Sequence, residues 1–180
     1  MNDNLSKREL VLLAAAKVVQ ESGAAQLTLE AVAEEAGVSK GGLLYHFPNK
    51  EALIQGMVDE LADSYVREIQ ERAEADMEPG GKWSRAYVES TFQELEDGFA
   101  MSNGLLAALF MNPELLEKLQ RNYAVWQKKI DDEQGDSIKP TIARLAADGL
   151  WFAEIFGLAP PDKELRARVA EELISWTKEG

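Results

Sequence analysis

Helix-start and helix-stop residues punctuate this sequence from end to end, and strand-type alternation of apolar and polar residues is absent. Ser6-Lys7-Arg8-Glu9 reads as a capping box with Glu9 at the third helical position, followed by apolar residues at helical spacing (Val11, Ala15, Val18 and Leu12, Ala16, Val19) up to a stop at Gly23. Thr28 caps a second helix, Leu29 to Ala36, with Leu27 and Val32 placed as a hydrophobic staple, and Gly37 ends it. Ser39 caps a third, Lys40 to about His46, which stops before Phe47-Pro48 because a residue preceding proline disfavours the α region. Asn49 caps a fourth from Lys50 to about Ala75, roughly 39 Å long at 1.5 Å per residue. Pro79-Gly80-Gly81 breaks the chain. Helical pattern resumes over Trp83–Gly98, Met101–Met111 and, after Asn112-Pro113, to about Ile130. Asp131 to Gly135 is a polar connection. A further helix holds Pro140 in its first turn and ends near Gly157, and Pro160-Pro161-Asp162 opens the last, Lys163 to about Lys178. The expectation is an all-α fold of about nine helices: three short ones in a head, a long fourth linking helix, and a helical body.

A chain of 180 residues with 46% hydrophobic content is one domain, or a small one fused to a medium one, and buries roughly 70% of its unfolded surface. The division expected here is 1–53 for the head and 54–180 for the body. There are no cysteines, which excludes a disulfide scaffold, a thiolate zinc site and a cysteine nucleophile. One histidine, His46, is the sole candidate for a triad or a metal site, and its neighbours supply no partner for a ligand or general-base role. No nucleophile-elbow, phosphate-loop or metal-ligand spacing appears, so no catalytic residue, metal or cofactor is expected, and an enzyme is the poorest reading. No run of 18 uncharged apolar residues exists and Met1-Asn2-Asp3-Asn4 does not open a secretory signal, so no membrane span and a cytoplasmic location are expected.

Net charge is −13, which on its face opposes nucleic-acid binding. The distribution matters more than the sum. Residues 1–55 hold five basic and seven acidic groups, leaving the rest at −11, and Val38 to Lys50 contains Lys40, His46 and Lys50 without one acidic residue. Any surface for an anion lies in that window. It coincides with a short helix, a tight turn around Gly37-Val38-Ser39 and a second short helix, the helix-turn-helix pattern. The second helix of such a pair presents its N-terminal residues to the major groove. Here these are Ser39, Lys40, Gly41 and Gly42. Two glycines each cost a helix roughly 1 kcal/mol against alanine, a poor choice for a surface that needs only to be helical and a good one for close approach to another backbone.

The stretch from Leu27 to Leu53 closely resembles the DNA-binding region of TetR-family transcriptional repressors: Thr28, Val32-Ala33, Ala36-Gly37-Val38-Ser39, Gly41, Leu43, Tyr45-His46-Phe47, Lys50-Glu51 and Leu53 sit at family spacing. The motif resemblance covers about residues 6–53; beyond it length and helical layout match. It implies an obligate homodimer that binds a palindromic double-stranded operator and is released when a small-molecule effector occupies the body. One departure is Leu44, at a position where relatives commonly carry tyrosine. On chemical grounds Lys50 and the first-turn amides of the fourth helix suit a phosphate, and Thr28, Tyr45 and His46 can reach phosphate or sugar. Lys40 suits a base edge, since lysine donates to guanine O6 and N7, while Gly41 and Gly42 permit close approach.

The aromatic and methionine residues of the body are core by default, and those expected to line an effector pocket are Trp83, Tyr87, Phe110, Tyr123, Trp126, Trp151 and Phe152. Asp148 and Glu154 are either polar anchors in such a cavity or a solvated face. Ile142, Leu145, Gly149 and Leu150 form an apolar stripe on the penultimate helix, as do Leu165, Val169, Leu173 and Trp176 on the last; the resemblance implies that these helices pair with their symmetry mates in a four-helix bundle. The alternative is that one stripe is purely internal core. The competing function is a helical protein-interaction adaptor with an acidic body and no DNA binding, which salt-sensitive duplex binding separates from a DNA-binding regulator.

Overall fold

The computed structural model describes residues 5–96, 112–133 and 136–178. Among them the regular structure is helical without a strand: α1 Lys7–Ser22, a 3₁₀ turn Ala24–Gln26, α2 Leu29–Glu35, α3 Lys40–His46, α4 Lys50–Ala75, α5 Lys82–Glu96, α6 Pro113–Asp131, α7 Ile138–Phe156 and α8 Lys163–Trp176. Eight α-helices therefore lie within the described residues, close to the nine expected. The helix expected over Met101–Met111 lies outside them. The chain forms two compact units, one holding residues 5–63 and 112–117 of the described chain, the other 64–96, 118–133 and 136–178.

Local chemistry accounts for the helix boundaries. The capping box forms in full, with the Ser6 N–H donating to Glu9 Oε2 at 2.7 Å and the Glu9 N–H to Ser6 Oγ at 3.2 Å. Thr28, Ser39, Asn49 and Asp162 each accept an N–H from the first turn of the helix they precede. Such a cap is worth about 1 kcal/mol against alanine. At Gly157 the chain turns into the left-handed region and ends α7.

In the first unit α1 packs on α2 and α3 over Val11, Leu12, Ala15, Val19, Leu27, Val32 and Leu43, all buried. Phe47, 3% exposed, anchors the end of α3. Its ring sits where a Cβ on Gly56 of α4 would come within 2.6 Å, and the Arg8 guanidinium lies 5.5 Å from its centroid. Burying a side chain of this size contributes about 2–3 kcal/mol and fixes the angle at which α3 leaves the core.

In the second unit α5 packs against α7 and α8 over Ile69, Ala73, Tyr87, Val88, Phe92, Trp126, Ala143, Ala147, Leu150 and Leu173. Buried Arg85 ties the segment after α4 to the end of α8: its Nε donates to Asp76 Oδ2 at 2.7 Å and its terminal nitrogens to the Glu78 and Thr177 carbonyls. That guanidinium holds the Asp76 carboxyl below the usual carboxylate range. Gly81, with φ +64°, must lack a side chain because a Cβ there would overlap the Thr177 carbonyl.

Candidate nucleic-acid interface and effector site

The turn between α2 and α3 is built by Gly37. Its φ of +64° lies in the left-handed region that glycine enters at no steric cost. The Gly37 N–H donates to the Glu34 carbonyl at 3.1 Å and the Val38 N–H to the Ala33 carbonyl at 3.0 Å, satisfying the end of α2. The chain re-enters a helix at Ser39, whose Oγ accepts the Gly42 N–H at 3.1 Å. Buried Leu43 and Phe47 hold the inner face of α3, leaving Ser39, Lys40, Gly41 and Tyr45 outside. Tyr45 is 85% exposed and meets His46 edge-on, with centroids 5.0 Å apart. A Cβ at Gly41 would touch nothing within 4 Å, so nothing in the fold of the free protein requires glycine there.

Two further helix starts carry residues expected to contact DNA. Thr28 opens α2, its Oγ1 accepting the Ala31 N–H at 3.1 Å, and Lys50 is the first residue of α4, where Asn49 Oδ1 accepts the Ala52 N–H at 2.7 Å. One partnership carried no sequence signal: Lys40 Nζ lies 2.5 Å from Glu30 Oε1, both side chains well exposed, and the ammonium draws the Glu30 carboxyl below its usual range. Lys40 is thus held by an acid of α2, and an exposed pair of this kind gives way easily.

The residues expected to line an effector pocket fall in three places. Tyr87, Tyr123 and Trp126 meet in T-shaped pairs, joined by Tyr65 of α4, with centroids 5.1–6.3 Å apart. Trp83 lies instead at the start of α5, its ring centroid 3.3 Å from Lys129 Nζ, and its backbone N–H donates to Glu133 Oε1. Burial pushes that Glu133 carboxyl up. Trp151 meets Phe152 edge-on, and Phe152, 38% exposed, stacks on Phe156. Phe110 lies outside the described residues. The surface of α7 and α8 likewise divides. Ile142, Leu145, Gly149 and Leu165 are exposed, whereas Leu150 and Leu173 are buried in their own unit's core and Val169 and Trp176 pack against it.

Of the two acids on α7, Glu154 pairs with Arg166 of α8 at 2.8 Å. Asp148 receives the Tyr87 and Tyr123 hydroxyls on one oxygen and Arg144 on the other. Burial pushes the Asp148 carboxyl up, with Tyr87, Arg144 and Tyr123 pulling it back; burial and the Asp148 charge push the Tyr123 hydroxyl up to about 12.

Among the described residues no three His, Cys, Asp or Glu side chains are grouped to hold a metal, and no helix is long and apolar enough to cross a membrane.

Residues 11–57 match the model of bacterial regulatory proteins of the tetR family, and residues 81–178 match that of the tetracyclin repressor-like C-terminal domain. The chain belongs to the TetR family. It is a helix-turn-helix, DNA-binding transcription regulator, and its family is one of regulators rather than enzymes. This TetR-family chain is 28% identical to the HTH-type transcriptional regulator YhgD of Bacillus subtilis, over 93% of its own length and 94% of the relative's. Its fold is similar to that of a transcriptional regulator from Rhodococcus sp. Rha1, with a TM-score of 0.66, 21% identity and 96% of each chain covered. It is also similar to the SmeT–triclosan complex, with a TM-score of 0.62 and 19% identity, over 98% of this chain and 94% of that one.

Proposed function

We propose that this regulator is a homodimeric repressor whose head, residues 1–53, reads a two-fold operator, and whose body, residues 54–180, binds a small apolar or aromatic effector that releases the DNA. The observation that carries the reading is the outer face of α3: a buried inner anchor at Leu43 and Phe47, and an exposed N-terminus of Ser39, Lys40 and Gly41, where internal packing does not require the glycine. Lys40 reads a base edge, Gly41 and Gly42 allow the helix to seat in the groove, and Thr28, Tyr45, His46 and Lys50 hold phosphates and sugars on either side.

Dimerisation uses the exposed apolar face of α7 and α8, with Ile142, Leu145, Gly149 and Leu165 at its centre and Phe152 and Phe156 continuing it. A two-fold operator requires the two copies of α3 to lie about 34–36 Å apart, one turn of duplex. The effector enters the body near Tyr87, Tyr123 and Trp126; that the structurally similar SmeT forms a complex with triclosan supports a small-molecule effector. Residues of α4 belong to both compact units, so this helix carries the displacement to Lys50 and the head.

Enrichment of duplexes from a random pool tests the reading. The expected product is a motif of two inverted half-sites with centres about 10 base pairs, or a multiple, apart. A pool that does not enrich, or enriches a single unsymmetrical site, contradicts it.

A further inference from the structure

The Asp148 carboxylate sits against the aromatic group of the second unit, and its charge is met by a cation that the protein itself supplies. Arg144, one turn back on α7, donates from a terminal nitrogen to Asp148 Oδ2 at 3.0 Å. Its Nε donates to Gln127 Oε1 at 2.9 Å, and its guanidinium carbon lies 5.6 Å from the Tyr123 ring centroid. Gln127 is itself oriented by donating to Thr141 Oγ1 at 2.9 Å. The other Asp148 oxygen accepts from the Tyr87 and Tyr123 hydroxyls. The guanidinium is therefore bound by a carboxylate oxygen, an amide oxygen and a ring face. That is the recognition set for a planar cation rich in N–H donors. A quaternary ammonium offers no N–H to the amide oxygen, and an anion meets the Asp148 charge.

We infer that this cluster is a ligand site for an amidinium or guanidinium carried on a small apolar or aromatic body, and that Arg144 is the occupant such a ligand displaces. The inference rests on the reading of the second unit as an effector body, and it adds the ligand's charge and head-group chemistry. Space is provided by exchange: the Arg144 side chain, 12% exposed, lies at the border of the cluster and leaves behind the volume of its head and stem when it swings into water. Energetics favour a cation over a neutral ligand. Removing Arg144 alone leaves a half-buried carboxylate without its cation, whereas exchanging one guanidinium-like group for another keeps Asp148 compensated throughout. The exchange reaches three helices, since Tyr87 is on α5, Tyr123 and Gln127 on α6, and Asp148 and Arg144 on α7.

The test uses the full chain with benzamidine and its neutral near-isostere benzamide, followed by calorimetry and by intrinsic tryptophan fluorescence. Wild type is expected to bind benzamidine at least ten-fold more tightly than benzamide. Asp148→Asn should abolish that preference. Arg144→Ala should bind benzamidine at least ten-fold more tightly than wild type, and benzamidine should raise its melting temperature. Arg144→Gln serves for the same comparison if the alanine variant does not fold. Equal binding of benzamide by wild type overturns the inference, and so does loss of benzamidine binding in the Arg144 variants, which makes that arginine an anchor for an anionic ligand instead. Duplex binding by the ligand-free protein is measured in parallel. Duplex binding without benzamidine binding overturns this inference alone, and absence of duplex binding overturns the parent reading.

Discussion

Gly41→Ala separates what α3 needs in order to fold from what it needs in order to bind. The position is helical, and a Cβ there meets nothing within 4 Å, so the methyl group fits the free protein. Replacing glycine by alanine at such a site stabilises by about 0.5–1 kcal/mol, partly by restricting the unfolded chain. For a chain of this size that raises the melting midpoint by about 1–4 °C. In the proposed complex the same methyl would lie between α3 and the base edges. Forcing one into a packed contact costs about 1–3 kcal/mol, and at 1.4 kcal/mol per factor of ten the duplex binds about 5–150-fold more weakly. Gly42→Ala is the internal comparison: its Cβ would lie 3.2 Å from Ser39 Oγ, the group that caps α3, so its gain in helix propensity is offset by a disturbed cap. Thermal melts by circular dichroism and fluorescence anisotropy on the enriched duplex read the two effects separately. A Gly41→Ala protein that melts higher and binds the duplex as well as wild type refutes the placement of α3 against DNA.

Three further outcomes are expected. Lys50→Ala should weaken binding to all duplexes alike and reduce the salt slope by about one, whereas Lys40→Ala should relax preference at particular base pairs by about 1–3 kcal/mol; identical, uniform losses remove the base-reading role of Lys40. On the exposed face of α7, Leu145→Glu should give monomers in sedimentation while leaving the monomer's melt intact, whereas Leu150→Ala, in the core, should cost about 2–5 kcal/mol of stability; a Leu145→Glu dimer contradicts the interface. Because the Asp148 carboxyl is raised, the native protein keeps that proton to higher pH than the unfolded chain does. This group therefore subtracts stability as pH climbs from about 4 through its native value. Asp148→Asn removes that contribution, and urea midpoints of wild type and variant that stay parallel across the range refute the burial argument.

The head was legible because turn chemistry is local. Ser6 with Glu9, Thr28, Gly37, Ser39 and Asn49 each act within four residues of themselves, so the boundaries of α1 to α4 follow from neighbours in sequence. The 3₁₀ turn at Ala24–Gln26 was not, since it is closed by the Gln26 N–H donating to the Gly23 carbonyl, with no side chain to announce it. On α7, apolar residues at Ile142, Leu145, Ala146, Gly149 and Leu150 cover more than one side of the helix, so spacing alone does not divide the side that meets α5 from the side left exposed. The Asp148 cluster was half legible. Arg144 and Asp148 are one turn apart and their pairing follows from spacing, but Tyr87 and Tyr123 come from 61 and 25 residues away. Glu133, which accepts the Trp83 backbone N–H at the start of α5, and Glu30 beside Lys40 are likewise tertiary partnerships that periodicity does not encode.

The affinity ratio between the enriched duplex and a scrambled duplex of equal length and composition, followed across salt concentration, bears most directly on the account. An acidic chain that binds through a small basic face should show affinity falling linearly in log–log form with salt on both duplexes. At physiological ionic strength the enriched duplex should still bind about 10³-fold or more tightly than the scrambled one. Equal affinity for the two duplexes at every salt concentration, or no measurable affinity for either, contradicts sequence-specific reading by α3 and favours an acidic helical adaptor in its place.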